Sequence, residues 1–186
     1  MLLDLGLGIF IGIMVSSLSG ILSWTLILIS VAFALLPDLD FIIYKVFGIH
    51  QDKGYKHREL FHYPLLYLPL GSFLIFHFFG RYLAIAFFLA SFLHFVHDSI
   101  AYGRGVKWLF PFSKDGYAFI YLFSRAVKRG LWQPVFIFNE ETTAEFDREH
   151  GDEEWLTHIY KEWHPIAIIE FSFFLLSLIC LFFYVR

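Results

Sequence analysis

Five long apolar stretches constrain this chain more than any other feature of its sequence. They cover approximately residues 5–18, 21–36, 63–79, 82–100 and 165–185. A membrane-crossing helix needs about 20 apolar residues to span a hydrocarbon core of about 30 Å. The last stretch is long enough and the fourth nearly so, whereas the first three require tilting or burial against neighbours. We therefore predict an all-α fold, a polytopic membrane bundle of about five helices.

The composition argues against a soluble globular protein. Hydrophobic residues make up 58% of the 186 positions and charged residues only 17%, below the roughly 25% of ordinary soluble domains. A soluble fold of this length has too much surface to hide so much apolar area. The net charge of -3 gives no reason to expect nucleic acid as a partner. The sequence indicates one membrane-embedded domain over 1–186 and leaves the oligomeric state open.

The distribution of basic residues predicts the orientation in the membrane. A turn at Ser16 to Gly20 favours a helical hairpin over residues 5–36, although one long helix is the alternative. Twelve of the 14 lysines and arginines fall in the segments 37–62 and 101–164, which lie on the same side if there are five crossings. The positive-inside rule places that side in the cytoplasm. Segment 101–164 is thus predicted to be cytoplasmic or interfacial, with a membrane-surface helix over 117–129.

An acidic residue stands at position 4, where a cleaved signal peptide carries a basic region. We therefore expect the N-terminal segment to be retained.

Two motifs place potential metal ligands at the predicted membrane boundary. Asp38 and Asp40 follow the second apolar stretch directly, after a proline that ends the helix. His57 and His62 flank the start of the third stretch, and Arg58 between them has the forked geometry that suits a phosphate. The alternatives are solvated acids in a helix-ending turn and histidines near lipid headgroups.

A third motif, His94 and Asp98, stands near the end of the fourth stretch. Their i, i+4 spacing puts both on one helix face, whereas His97 points elsewhere. Ionisable groups at this depth usually face a partner or a cavity, so a purely structural pair is the alternative. With five crossings, all three motifs reach the same membrane face. This convergence predicts a site for one to three divalent ions, most simply Zn, with Mn as the alternative, held by Asp38, Asp40, His57, His62, His94 and Asp98.

Other polar residues give weaker signals. Arg104 and Lys114 follow the fourth stretch closely and are typical either of an anion-binding loop for substrate or of a basic loop at lipid headgroups. The roles of five further residues stay open at this level: Asp4, His158, Glu162, His164 and Glu170.

The order of these motifs resembles a known bacterial family. LPDLD, HRELFH, HFVHD and a later PFS are similar to the LPDxD, HRxxTHS, HxxxD and P-[FY]-S motifs of membrane-bound metal-dependent hydrolases. That family is often labelled LexA-binding and inner-membrane-associated. The resemblance covers about 1–115. Two departures stand out: the second motif lacks the small hydroxylated residues, and Asp4 stands where many relatives have a histidine.

The resemblance implies phosphoester hydrolysis in a bacterial inner membrane, since the family is distantly similar to zinc-dependent phospholipase C. A site at headgroup depth, facing the cytoplasm, favours a lipid phosphoester as substrate. In this interpretation Asp40 is the proton acceptor, and Arg58, Arg104 and Lys114 neutralise the phosphate. Two other classes compete: a non-catalytic membrane scaffold or partner-binding protein with a structural metal, and a transporter, which would need polar residues through the depth of the bilayer.

Overall fold

A computed structural model describes residues 2–39, 61–101, 105–124, 129–139 and 157–186. These parts of the chain are mostly helical, with five α-helices, as the apolar stretches predict. The helices are α1 (Leu2–Ser19), α2 (Trp24–Leu35), α3 (Pro64–Phe79), α4 (Arg81–Asp98) and α5 (Pro165–Tyr184). A 3₁₀ turn (Leu36–Asp38) follows α2, and a π-helical turn (Thr157–Lys161) precedes α5.

Contacts along the chain divide it into two compact units. The first comprises Met1–Leu39, Leu68–His94 and Trp163–Arg186, and the second comprises Asp40–Tyr67 and Phe95–Glu162. Helix α4 is continuous through the boundary between His94 and Phe95. Each unit is described by itself below.

The predicted hairpin between the first two helices is confirmed. Helix α1 ends at Ser19, and Gly20 takes a φ of 71°, a left-handed conformation that glycine adopts without steric cost. Ser23 then caps α2, since its hydroxyl accepts a hydrogen bond from the Leu26 N–H at 3.2 Å.

Close backbone packing holds α1 against α2 in the first unit. A Cβ added at Gly8 would lie 2.5 Å from Val31 Cα, and one at Gly12 would lie 2.5 Å from Ile27 Cα. The order of these contacts shows that the two helices are antiparallel. Small residues allow this approach, which is how membrane helices gain dispersion contacts when lipid is as apolar as their side chains.

Helix α5 packs on α1 in the parallel direction. Gly6 lies against Phe173 and Phe174, and Tyr184 lies beside Ser16 at the other end of the pair. The start of α1 and the start of α5 are therefore at the same end of the first unit.

Apolar side chains on the outer faces of the helices are widely exposed. On α5 they include Ile169 and Phe183, and on α3 Phe73 and Phe79. Faces of this kind are typical of contact with lipid. Two helices, α1 and α5, are long and apolar enough to cross a membrane, whereas α2 and α3 are shorter. That α2, α3 and α4 cross the membrane stays a prediction.

The second unit contains a small sheet, which corrects the all-α prediction. Strands β1 (Ile100–Ala101), β2 (Gly116–Ser124) and β3 (Arg129–Phe138) lie in the order β1-β2-β3. Strands β1 and β2 pair in parallel, and β2 and β3 pair antiparallel, with Gly116 opposite Phe138 and Ser124 opposite Arg129.

The predicted surface helix over 117–129 is wrong for a physical reason. Aromatic and β-branched residues favour a pleated strand, and this region continues into a second segment of the same kind. Ala118, Phe136 and Phe138 meet on one face of the β2–β3 pair and form a small core. That cross-strand packing is not visible in the helical periodicity of either segment alone.

The close approach of α1 and α2 is testable by substitution. We expect Gly12→Val to lower the free energy of unfolding of the detergent-purified protein by about 1–3 kcal/mol, because the new side chain meets the backbone of α2. Met14→Val on the exposed face of the same helix is the matched control and should change little. Equal stability of the two variants in thermal unfolding would show that the backbones of α1 and α2 do not approach closely at Gly12.

Candidate metal centre

The first unit places a histidine between two carboxylates. His94 Nδ1 lies 3.2 Å from Asp4 Oδ1, and His94 Nε2 lies 3.7 Å from Asp38 Oδ1. His94 lies one turn before the end of α4, Asp4 lies in the first turn of α1 and Asp38 in the 3₁₀ turn after α2. Helix α4 runs beside α2, where Ser91 Oγ donates to the Phe33 carbonyl at 3.4 Å, so both end near Asp4.

The second unit forms a matching pair. His62 Nε2 lies 3.1 Å from Asp98 Oδ2, within hydrogen-bonding distance. His62 precedes Pro64, the first residue of α3, and its ring packs edge-on against Phe95 at 5.8 Å. That contact limits the orientations of the imidazole.

Helix α4 contributes His94 to the first of these groups and Asp98 to the second. His94 and Asp98 are four residues apart and share one face of that helix. Asp38, His62, His94 and Asp98 each offer one ligand atom, and these four atoms all lie within 4.8 Å of one another. We refer to these four residues as the cluster.

The distances within the cluster suit a divalent ion. Ligand distances of about 2.0–2.2 Å in a tetrahedral zinc site place neighbouring donor atoms roughly 3.3–3.6 Å apart. The His62–Asp98 and His94–Asp38 separations of 3.1 and 3.7 Å fall on either side of this range. These two separations are therefore close to those expected for donors that bind one ion.

The charges of the site also suit a cation. In their ionised forms the carboxylates of Asp4, Asp38 and Asp98 would bring negative charge to the site. Asp4 and His94 are almost completely buried, with side chains at most 2% exposed. Buried charge is costly unless it is paired or binds a metal. A cluster of two histidines and two aspartates can thus hold a metal ion, and mixed nitrogen and oxygen donors are compatible with zinc or manganese.

The exposure of the donors differs between imidazoles and carboxylates. The two histidine side chains are 1% exposed, whereas that of Asp98 is 15% exposed and that of Asp38 is 30% exposed. Water therefore reaches the two carboxylates more readily than the two imidazoles.

Four of the six residues predicted as metal ligands come together in the cluster. The other two, Asp40 and His57, lie outside the described residues, as do Arg58 and Arg104. Their predicted roles therefore remain predictions. Lys114 is described and exposed, directly after the turn that ends at Ser113.

Sequence reasoning left the role of Asp4 open, and the structure gives it a partner. An acidic residue in the first turn of an otherwise apolar helix was the available signal. Its carboxylate beside His94 Nδ1 suits the arrangement in which a second carboxylate fixes the orientation of a metal-binding histidine.

The remaining open residues divide between buried and exposed positions. Glu170 is buried on α5, one turn before the residues that pack on Gly6, so it lies near the end of α1 that carries Asp4. Burial lowers the pKa of His164, whose Nδ1 accepts a hydrogen bond from the Ile166 N–H at 3.3 Å and caps α5. Glu162 is exposed, and the side chain of His158 lies outside the described parts of the chain.

Comparison with known families adds an independent observation. A family model described as YdjM inner membrane protein matches residues 4–185. The chain belongs to this family. Comparisons with curated proteins and with solved structures gave no match.

The YdjM match covers the cluster and all five helices almost completely, so the membrane character predicted from composition is confirmed. The family's description places its members in the inner membrane.

The orienting role of Asp4 predicts a graded effect on metal affinity. We expect Asp4→Leu to weaken zinc binding about 10–100-fold, because His94 loses the carboxylate that orients it. Asp4→Asn keeps an oxygen acceptor and should lose less. Competition with a chromophoric chelator measures both affinities, and Asp115→Asn is an acidic control in the second unit. Wild-type affinity in Asp4→Leu would contradict the role.

Proposed function

We propose that this chain is a membrane-bound metal-dependent hydrolase that acts on a phosphoester of a lipid or lipid headgroup at the cytoplasmic face. The observation that carries the proposal is the cluster of Asp38, His62, His94 and Asp98, whose donor atoms all lie within 4.8 Å of one another. Membership of an inner membrane family and the resemblance of the motifs to metal-dependent hydrolases support it.

In the proposed site the protein side chains would hold the metal ion and orient the imidazoles that bind it. His62 and His94 would bind a zinc-type ion through Nε2, since that atom of each ring faces an aspartate of the cluster. Asp4, beside Nδ1 of His94, would hold the proton of that ring on the far side. When bound, the ion supplies a water of lowered pKa and a Lewis acid for the phosphoryl oxygen.

Acid–base and phosphate-binding roles would come from the neighbouring motifs. Asp40, two residues after Asp38, would accept the proton of the attacking water. Arg58, in the motif that ends at His62, would neutralise the phosphate oxygens. Both roles rest on sequence spacing alone.

The location of the cluster supports a substrate from the membrane. The cluster residues stand at the ends of apolar helices, and in a bilayer such ends lie at headgroup depth. The concentration of lysine and arginine in the segments 37–62 and 101–164 favours the cytoplasmic side. A phosphoester within a lipid headgroup would therefore reach the site from the plane of the membrane.

A membrane scaffold with a structural metal is the second candidate. The nearly complete burial of both imidazoles favours it, because structural zinc sites are closed by four protein ligands. The exposure of Asp38 and Asp98 favours catalysis instead, since a hydrolase must keep one position open to water.

Hydrolysis can be tested with the reconstituted protein. We expect wild type in nanodiscs to cleave a chromogenic phosphodiester or a phospholipid, to stop after chelation and to recover with zinc or manganese. His62→Ala should lower the rate at least about a hundredfold, because a metal ion supplies several kcal/mol of transition-state stabilisation. His77→Ala, at the exposed far end of α3, is the matched control. Metal-loaded wild type with no more turnover than His62→Ala would favour the scaffold.

A further inference from the structure

The second unit presents an exposed apolar turn that the proposed site does not use. The segment from Lys107 to Ser113 folds into a tight turn, in which the Phe112 N–H donates to the Leu109 carbonyl at 2.8 Å. Phe112 is 87% exposed and Leu109 is 47% exposed. Exposed apolar side chains that lie together, in contrast to single ones, are typical of a contact surface.

The sheet beside this turn has one apolar face that is also exposed. Along β3, Phe136 and Phe138 point into the small core, whereas Val135 and Ile137 alternate with them and are 45% and 60% exposed. Trp132 on the same strand is 72% exposed. The alternation shows that this face belongs to a strand whose other side is already packed.

The turn and the exposed face of the sheet are linked through β2. Val106, just before the turn, pairs with Tyr117 through two hydrogen bonds of 3.0 and 2.9 Å. Tyr117 in turn lies opposite Ile137 in the sheet. We call Leu109, Phe112 and the exposed face of β3 (Val135, Ile137) the Phe112 surface.

Positive charge flanks the Phe112 surface. Lys107 and Lys114 stand on either side of the turn, and Lys114 is exposed. The nearby Asp115 carboxylate accepts a hydrogen bond from the Ser113 hydroxyl at 2.8 Å, so its charge is directed into the turn. Aromatic side chains bordered by lysines suit the boundary between apolar tails and anionic headgroups.

We propose that the Phe112 surface inserts into the headgroup region of a bilayer that contains anionic phospholipid, with Lys114 binding a lipid phosphate. This assigns Lys114 to the membrane instead of to a substrate in the metal site. A bilayer suits the surface better than a protein partner does, because a phenylalanine at a protruding tip between two lysines needs no complementary pocket. The proposal does not rest on the hydrolase activity.

The single cysteine of the chain allows a direct test. Cys180 lies in α5, so Cys180→Ala gives a cysteine-free background in which Phe112→Cys carries one environment-sensitive fluorophore. Nanodiscs that contain phosphatidylglycerol provide the bilayer. Nitroxides attached near the lipid headgroup report insertion, and aqueous iodide reports exposure to water. The native Cys180, labelled in the otherwise unchanged chain, is the positive control for lipid contact.

We expect the label at position 112 to be quenched several-fold more by headgroup nitroxides than by iodide. Replacing Lys114 by Glu should reduce that preference in anionic nanodiscs but not in neutral phosphatidylcholine nanodiscs. Dominant iodide quenching would overturn the proposal, because the turn would then lie in water. Protection from both quenchers would also overturn it, since a protein contact would then cover the surface. A monodisperse labelled protein with the helical circular dichroism of wild type controls for folding.

Discussion

The burial of charged side chains at the ends of apolar helices is the constraint on which the rest of this structure depends. Asp4 and His94 are nearly inaccessible to water, and each is costly in such surroundings unless the other, or a bound cation, compensates for the lost hydration. This requirement fixes where three helices must meet: the start of α1, the end of α2 and the end of α4. The segment that leads into α3 meets the same requirement, because His62 pairs with Asp98.

Glycines in α1 allow the close helix packing that makes this meeting point possible. Gly8 and Gly12 let the backbone of α1 touch that of α2, and Gly6 admits Phe173 of α5. Some hydroxyl groups within the helices bond locally, as where Ser30 Oγ donates to the Leu26 carbonyl at 2.7 Å. The apolar bodies of the helices therefore carry the packing.

The helical elements and most of the cluster could be predicted from the sequence because their signals are local or periodic. Apolar length located the five helices, and the i, i+4 spacing of His94 and Asp98 was enough to place both on one helix face. The β2–β3 sheet could not be predicted in this way, since its core depends on pairing between Ala118 and Phe136, which are distant along the chain. The partnership of Asp4 with His94 also escaped sequence reasoning, because it joins α1 to α4 across the fold.

Metal content measured by elemental analysis of the detergent-purified protein tests the central claim most directly. Wild type should be compared with a His94→Ala, Asp98→Ala double variant and with His77→Ala, all reconstituted with zinc or manganese and desalted. The account predicts at least one ion per chain in wild type and in His77→Ala, and loss of that ion in a double variant that remains folded. Wild type without metal after reconstitution, or a double variant with the same metal content as wild type, would contradict it.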